Sequence, residues 1–182
     1  MPLDESLPAF PPAHAPIPAC AVLDARGIRL RRATQRDLFF LRNLYGELHM
    51  EELHLTGWPA AMCKLFLDDQ FALQHRHFVD YYGESDFLIV ESGDTAIGRY
   101  YLLRQEAYFL VVDVALLPTW RGQGIGSSLL QWSQSMACEN KAAGIDLHVN
   151  ILNVAAHRLY TRLGFVTIEP EPPYIRMRWM VN

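Results

Sequence analysis

The stretch "PTWRGQGIGSSLL", residues 118–130, constrains this chain more than any other. An apolar run, "AYFLVVDVALLP", leads into it. A helical stripe of Ile125, Leu129, Trp132 and Met136 leads out of it. A strand therefore gives way to a helix across Gly122, Gly124 and Gly126. Glycine in a helix weakens it by up to about 1 kcal/mol per residue relative to alanine. The weakness makes sense where a ligand must touch the backbone, because the free N–H groups of a first turn then stand uncovered. The helix dipole favours an anion there, and Arg121 adds a positive fork. The spacing predicts a pyrophosphate-binding turn; the alternative is a glycine turn that merely closes a tight corner.

Two common phosphate turns do not fit. A P-loop needs Gly-Lys-Ser/Thr, which "GQGIGSS" lacks. A dinucleotide fingerprint needs a third glycine where this chain has Ser127, and belongs after a first strand rather than two-thirds along the sequence.

The remaining sequence reads as one domain with a tail. Six of the eleven prolines fall within residues 1–20, so residues 1–26 read as a mobile, largely extended Pro/Ala-rich tail. It could pack along the domain or mediate self-association into a homodimer. Residues 27–182 form the domain. "GIRLRRAT" predicts a strand and then a Thr34–Asp37 capping box that starts a helix, interrupted at "MEELHLTGWP". A second helix follows Pro59 and runs to "YYGES". "DFLIVE" and "AIGRYYLLR" flank a Ser-Gly-Asp turn and read as a hairpin. After the glycine stretch and its helix come a strand, "IDLHVNI", a short helix ending at Gly164, and two closing strands, "FVTIE" and "YIRMRWMV". The order β-α-α-β-β-β-α-β-α-β-β suggests an α/β (α+β) fold, a mixed sheet of about seven strands with helices on both faces.

Composition narrows the partners. A net charge of -4 offers no basic excess for nucleic acid. No apolar run approaches the ~20 residues that span a membrane. Three widely spaced cysteines, Cys20, Cys63 and Cys138, suggest reduced thiols in a cytoplasmic protein.

"VDVALLPTWRGQGIGSSLL" resembles the acetyl-coenzyme A signature of the GCN5-related N-acetyltransferases (GNAT), Arg/Gln-x-x-Gly-x-Gly/Ala, matched here by Arg121, Gly124 and Gly126. "LHVNILNVAAHRLYTRLGFV" resembles that family's second segment through Asn153, Ala156, Leu159, Tyr160, Leu163, Gly164 and Phe165. At motif level the likeness covers residues 111–166, and in element order 28–181. It implies a mostly antiparallel sheet whose fourth and fifth strands splay apart around acetyl-coenzyme A (acetyl-CoA), with no metal. It implies that Val114, Ala115 and Leu116 hold the pantetheine arm. The diphosphate would rest on Arg121, Gly122, Gln123, Gly124, Ile125, Gly126 and Ser127. Asn153 would touch the cofactor, or serve only as a helix cap. The implied activity is acetyl transfer to a primary amine (small molecule, amino acid derivative, or peptide or protein amine) by direct attack in a ternary complex. A non-catalytic acyl-CoA-binding module and the use of another acyl-CoA are the alternatives.

Tyr160 matches the family's general acid, which protonates the departing thiolate; its other role would be to close the core. The base is open between His148, Asp113 and the pair Glu51 and Glu52, placed in the loop between the first two helices. Histidine titrates in the useful range, and an acidic group in "FLVVDVALL" would have a raised pKa or pair with an arginine. The resemblance implies an oxyanion donor at a fourth-strand bulge, with Leu116 as its source. Cys63 and Cys138 lack the setting for a covalent route. His49, His54, His75 and His77 read as solvated helix residues rather than metal ligands. Leu53, Leu55, Trp58, Phe66 and Phe71, with Glu51, Glu52, Asp68 and Asp69, suggest an acceptor that is cationic and partly apolar, unless they are a helix stripe and its wet face.

Overall fold

The computed structural model describes residues 7–181. Seven strands form one sheet in the order β1-β2-β3-β4-β5-β7-β6. They are β1 (Ile28–Arg32), β2 (Asp86–Ser92), β3 (Thr95–Leu103), β4 (Tyr108–Leu116), β5 (Gly144–Asn150), β6 (Val166–Glu171) and β7 (Tyr174–Met180). Every neighbouring pair is antiparallel except β4 and β5. The helices are α1 (Ala21–Asp24), α2 (Leu38–His54), α3 (Ala60–Tyr81), α4 (Ile125–Glu139) and α5 (Val154–Arg162). From residue 27 onward the element order is the one read from the sequence.

Alternation along the strands splits the core in two. Leu88, Tyr100, Leu102, Phe109, Val111, Ile145, Leu147 and Val149 pack with Ile125, Leu129, Trp132 and Met136 of α4 and Tyr160 of α5. Phe87, Ile89 and Tyr101 face the other way, onto Leu38 and Leu41 of α2 and Phe71 and Phe78 of α3. The predicted capping box is present: the Thr34 amide and hydroxyl donate to Asp37 Oδ2 at 2.7 and 2.9 Å.

Some expectations hold and others change. Helix α2 continues through Glu51 and Glu52 to His54, so those carboxylates sit on an exposed helical turn and not in a loop. Of the expected tail, residues 1–6 lie outside the described residues, and residues 7–26 pack along the domain, one of the two expected placements: Leu7 is buried in the α2/α3 core and Leu23 in the α4/α5 core. The prolines do keep much of this segment extended, but its few apolar side chains find sites on both faces. His75 is buried rather than solvated, its Nε2 2.8 Å from the Pro8 carbonyl. β4 does carry a bulge, at Val112, where the partner register slips from Tyr101↔Asp113 to Leu102↔Val111.

Candidate active site

β4 and β5 pair only from Tyr108↔Gly144 to Val111↔Leu147. Beyond the Val112 bulge the two strands are no longer bonded, and one edge of β4 is left open. Its chemistry follows from the ladder. Leu117 N–H donates to the Ile97 carbonyl at 2.9 Å, and Ala115 pairs with Arg99 in the same register. In an antiparallel ladder alternate residues bond to the same neighbour, so Val114 and Leu116 turn their amides away from β3, into the gap. The Leu116 carbonyl already accepts from Arg121 Nε at 3.1 Å.

The glycine turn closes the top of this gap. Pro118–Trp120 form a 3-10 turn, Gly122 has φ +71°, and Gly124, the residue before α4, has φ +80° and ψ 0°. An L side chain is strained at both glycines. The side chain of Gln123 braces the turn by donating to the Thr119 carbonyl at 2.9 Å. The first intrahelical bond is Ser128 N–H to the Gly124 carbonyl, 3.0 Å. The amides of Ile125, Gly126 and Ser127 thus form the free first turn of a 15-residue helix. Open strand amides followed by a left-handed turn and a helix mouth fit a long ligand carrying a phosphate at one end.

The catalytic candidates divide across the sheet. Tyr160 lies in the α4/α5 core and is 6% exposed; burial, aided by the charge on Asp113, pushes its phenol up to about 12. Leu147 and Val149 point into that same core, so His148 points to the opposite face, where it is exposed, with Nε2 3.6 Å from Glu171 Oε2. Asp113 also lies on the opposite face. Its Oδ2 accepts from Arg99 Nε at 2.6 Å, the ion pair with an arginine that was one of its foreseen roles. Asn153 caps α5, its Oδ1 accepting from Ala156 N–H at 3.1 Å. Phe71 is core rather than acceptor lining, and Asp68 pairs with Lys64. Among the described residues no cluster of ligating side chains could hold a metal.

Arg99 and its partner Gln74 escaped the sequence reading, and His49, read as solvated, is half-buried. Arg99 is 3% exposed, donates also to Gln74 Oε1 at 2.7 Å, and lies over the rings of Phe78 and Tyr101. A charge inside the apolar run "AIGRYYLL" was the available signal. His49 of α2 stacks on Tyr45 with centroids 4.4 Å apart, and burial holds its pKa below the usual value.

Comparison with known proteins agrees with this geometry. The family model of the acetyltransferase (GNAT) domain matches residues 83–167, which contain the gap, the glycine turn and Tyr160. An aminoalkylphosphonate N-acetyltransferase from Salmonella typhimurium is 40% identical over 55 residues, 30% of this chain and 36% of that protein. The matched stretch thus spans about a third of that relative's length. The crystal structure of PaiA N-acetyltransferase from Thermoplasma acidophilum in complex with coenzyme A superposes with a TM-score of 0.65 at 16% identity, over 85% of this chain and 99% of that one. A GNAT family acetyltransferase from Elizabethkingia anophelis with acetyl-CoA bound gives a TM-score of 0.51 at 16% identity, over 58% of this chain and 83% of its own. At these identities the structures speak for the fold alone. No helix among the described residues is long and apolar enough to cross a membrane. Residues 83–167 thus match the acetyltransferase (GNAT) domain, and the chain shares its fold with solved acetyltransferases.

Proposed function

We propose that this protein is an acetyl-CoA-dependent N-acetyltransferase acting on a primary amine by direct attack in a ternary complex. The observation that carries the reading is the gap between β4 and β5, with Tyr160 packed on one face of the sheet and Asp113 and His148 on the other. A thioester and an amine can meet there from opposite sides of one sheet.

Acetyl-CoA, when bound, would supply an activated acetyl group; the chain's residues would do the rest. The amides of Val114 and Leu116 are the free edge on which a pantetheine arm would extend the sheet. The backbone from Arg121 to Gly126, with Ser127, would hold the diphosphate, and the absence of a Cβ at Gly124 leaves that surface bare. Leu116 N–H is a donor for the carbonyl oxygen of the reacting acetyl group. Tyr160 is the proton donor to the departing sulfur. A phenol is protonated at neutral pH, as a general acid requires, and burial extends that protonated range upward. On the acceptor face Asp113 is held by Arg99, which leaves His148, backed by Glu171, as the group to take the amine's proton.

A thiol-release assay with acetyl-CoA and a panel of primary amines, an aminoalkylphosphonate among them, tests this. Thiol should appear with at least one amine. Tyr160→Phe should slow turnover by about 100-fold while binding coenzyme A as the wild type does. The Tyr160-dependent rate should persist to pH 10, since the phenol deprotonates only near about 12. Coenzyme A binding with no thiol release for any amine would overturn the enzymatic reading.

A further inference from the structure

The N-terminal segment ends against the glycine turn. It runs from Leu7 on the α2/α3 face past Ala15 and Pro16, whose carbonyls accept from Arg32 and Arg104, to Leu23 under α4. Arg26 follows. Its Nη2 donates to the carbonyl of Gln123, in the middle of the turn. Its Nη1 lies 3.4 Å from where a Cβ on Gly124 would stand. Arg26 is exposed, and none of the ion pairs among the described residues includes it.

That placement is electrostatically unfavourable by itself. A guanidinium sits beside the positive end of the α4 dipole with a backbone carbonyl for a partner. An anion between them turns the repulsion into two attractions. Arg121, the arginine of the motif, has its Nε committed to the Leu116 carbonyl, so the turn gains from a second cation. Arg26 provides it from outside residues 83–167, the stretch the family model matches.

We infer that Arg26 is a further cofactor-binding residue, a cation that closes over the diphosphate of the coenzyme and ties the N-terminal segment to its binding. The inference rests on the proposed coenzyme reading and adds a residue to it. A guanidinium can hold the Gln123 carbonyl with one nitrogen and a phosphate oxygen with another, because its donors form a rigid fork. The contact is charge-assisted and exposed, so it should weaken as salt rises.

Isothermal titration of wild type and Arg26→Gln with coenzyme A, 3′-dephospho-coenzyme A and pantetheine tests it. Arg26→Gln should weaken both phosphate-bearing ligands by about tenfold, with a shallower salt dependence, and leave pantetheine unchanged. Its melting temperature without ligand should equal or exceed the wild type's, because a cation has left the helix mouth. Loss confined to coenzyme A would assign Arg26 to the 3′-phosphate and overturn the diphosphate placement. Equal affinities in both proteins, or a lower melting temperature with equal losses for all three ligands, would overturn it as well. Wild-type protein that binds none of the three would bring down the coenzyme reading along with this one.

Discussion

The two ends of β4 share one strand and behave as different structures. From Tyr108 to Val111 it is closed, with β3 on one side and β5 on the other. After the bulge at Val112 it keeps β3 and loses β5. The closed end buries Phe109 and Val111 and satisfies its backbone within the sheet. The open end turns the amides of Val114 and Leu116 into the gap and carries Asp113, held by Arg99. A free backbone edge is a liability in most sheets, because it templates pairing with other chains. Here the closed end fixes where β5 departs, and so sets the width of the opening. The closed end is packed on both sides, and the open end is where the proposed coenzyme site would lie.

The strongest way to break this division is at the closed end. A Cβ on Gly144 would stand 2.1 Å from the Trp179 carbonyl oxygen and 3.1 Å from its carbon. Both are backbone atoms and cannot rotate away, so β5 and β7 must separate. Gly144→Val should cost more than about 4 kcal/mol, in the range reserved for strain and overpacking, and leave little folded protein in a thermal melt. A wild-type melt would show that the closed end does not clamp the gap.

At the open end the expected loss is smaller and more informative. Asp113→Asn leaves the buried Arg99 with Gln74 as its remaining side-chain hydrogen-bond partner. Breaking a buried pair from one side costs about 3 kcal/mol. If Asp113 is a counter-ion, Asp113→Asn should melt earlier but retain turnover per folded molecule when assayed well below its transition. A 100-fold loss of turnover in fully folded Asp113→Asn would make Asp113 the base and displace His148.

The same contrast explains what could be read from the chain. The glycine turn and the proposed acid were legible because each is local: "GQGIG" fixes two left-handed backbones and a helix start within a few residues, and Asn153 to Phe165 form one helix and its exit. The acceptor face was not, because long-range pairing builds it. Arg99 meets Asp113 only through the β3–β4 register, and Gln74 reaches them from α3. The bulge at Val112 has no local signature, since β-branched neighbours such as Val111 and Val114 suit either side of it. The seating of residues 7–26 comes from Leu7, Phe10, Ile17, Cys20 and Leu23, scattered apolar side chains in a Pro-rich stretch with no periodicity to announce a buried face.

The finest test compares the two aspartates on this face. At the closed end Asp146 of β5 accepts from Arg176 Nη2 at 2.6 Å and from Arg178 Nε at 2.5 Å. Burial opposes its ionisation, but the hydrogen bonds from Arg178 and Arg176 outweigh burial and hold its carboxyl below the usual range. A carboxyl lowered by folding adds stability above its unfolded value of about 3.9. That stability is lost as pH falls through the folded value. Both arginines keep partial contact with water, so the pair is worth about 1 kcal/mol, or about 2–4 °C in a chain of this size. Asp146→Asn should therefore melt a few degrees below wild type at pH 7, and the difference should narrow as pH drops below 4. Turnover and coenzyme affinity should be unchanged, because Asp146 lies beside the closed end. A difference that persists at pH 3 would mean that the site matters through packing rather than charge, and a loss of coenzyme affinity would show that the two ends of β4 are coupled.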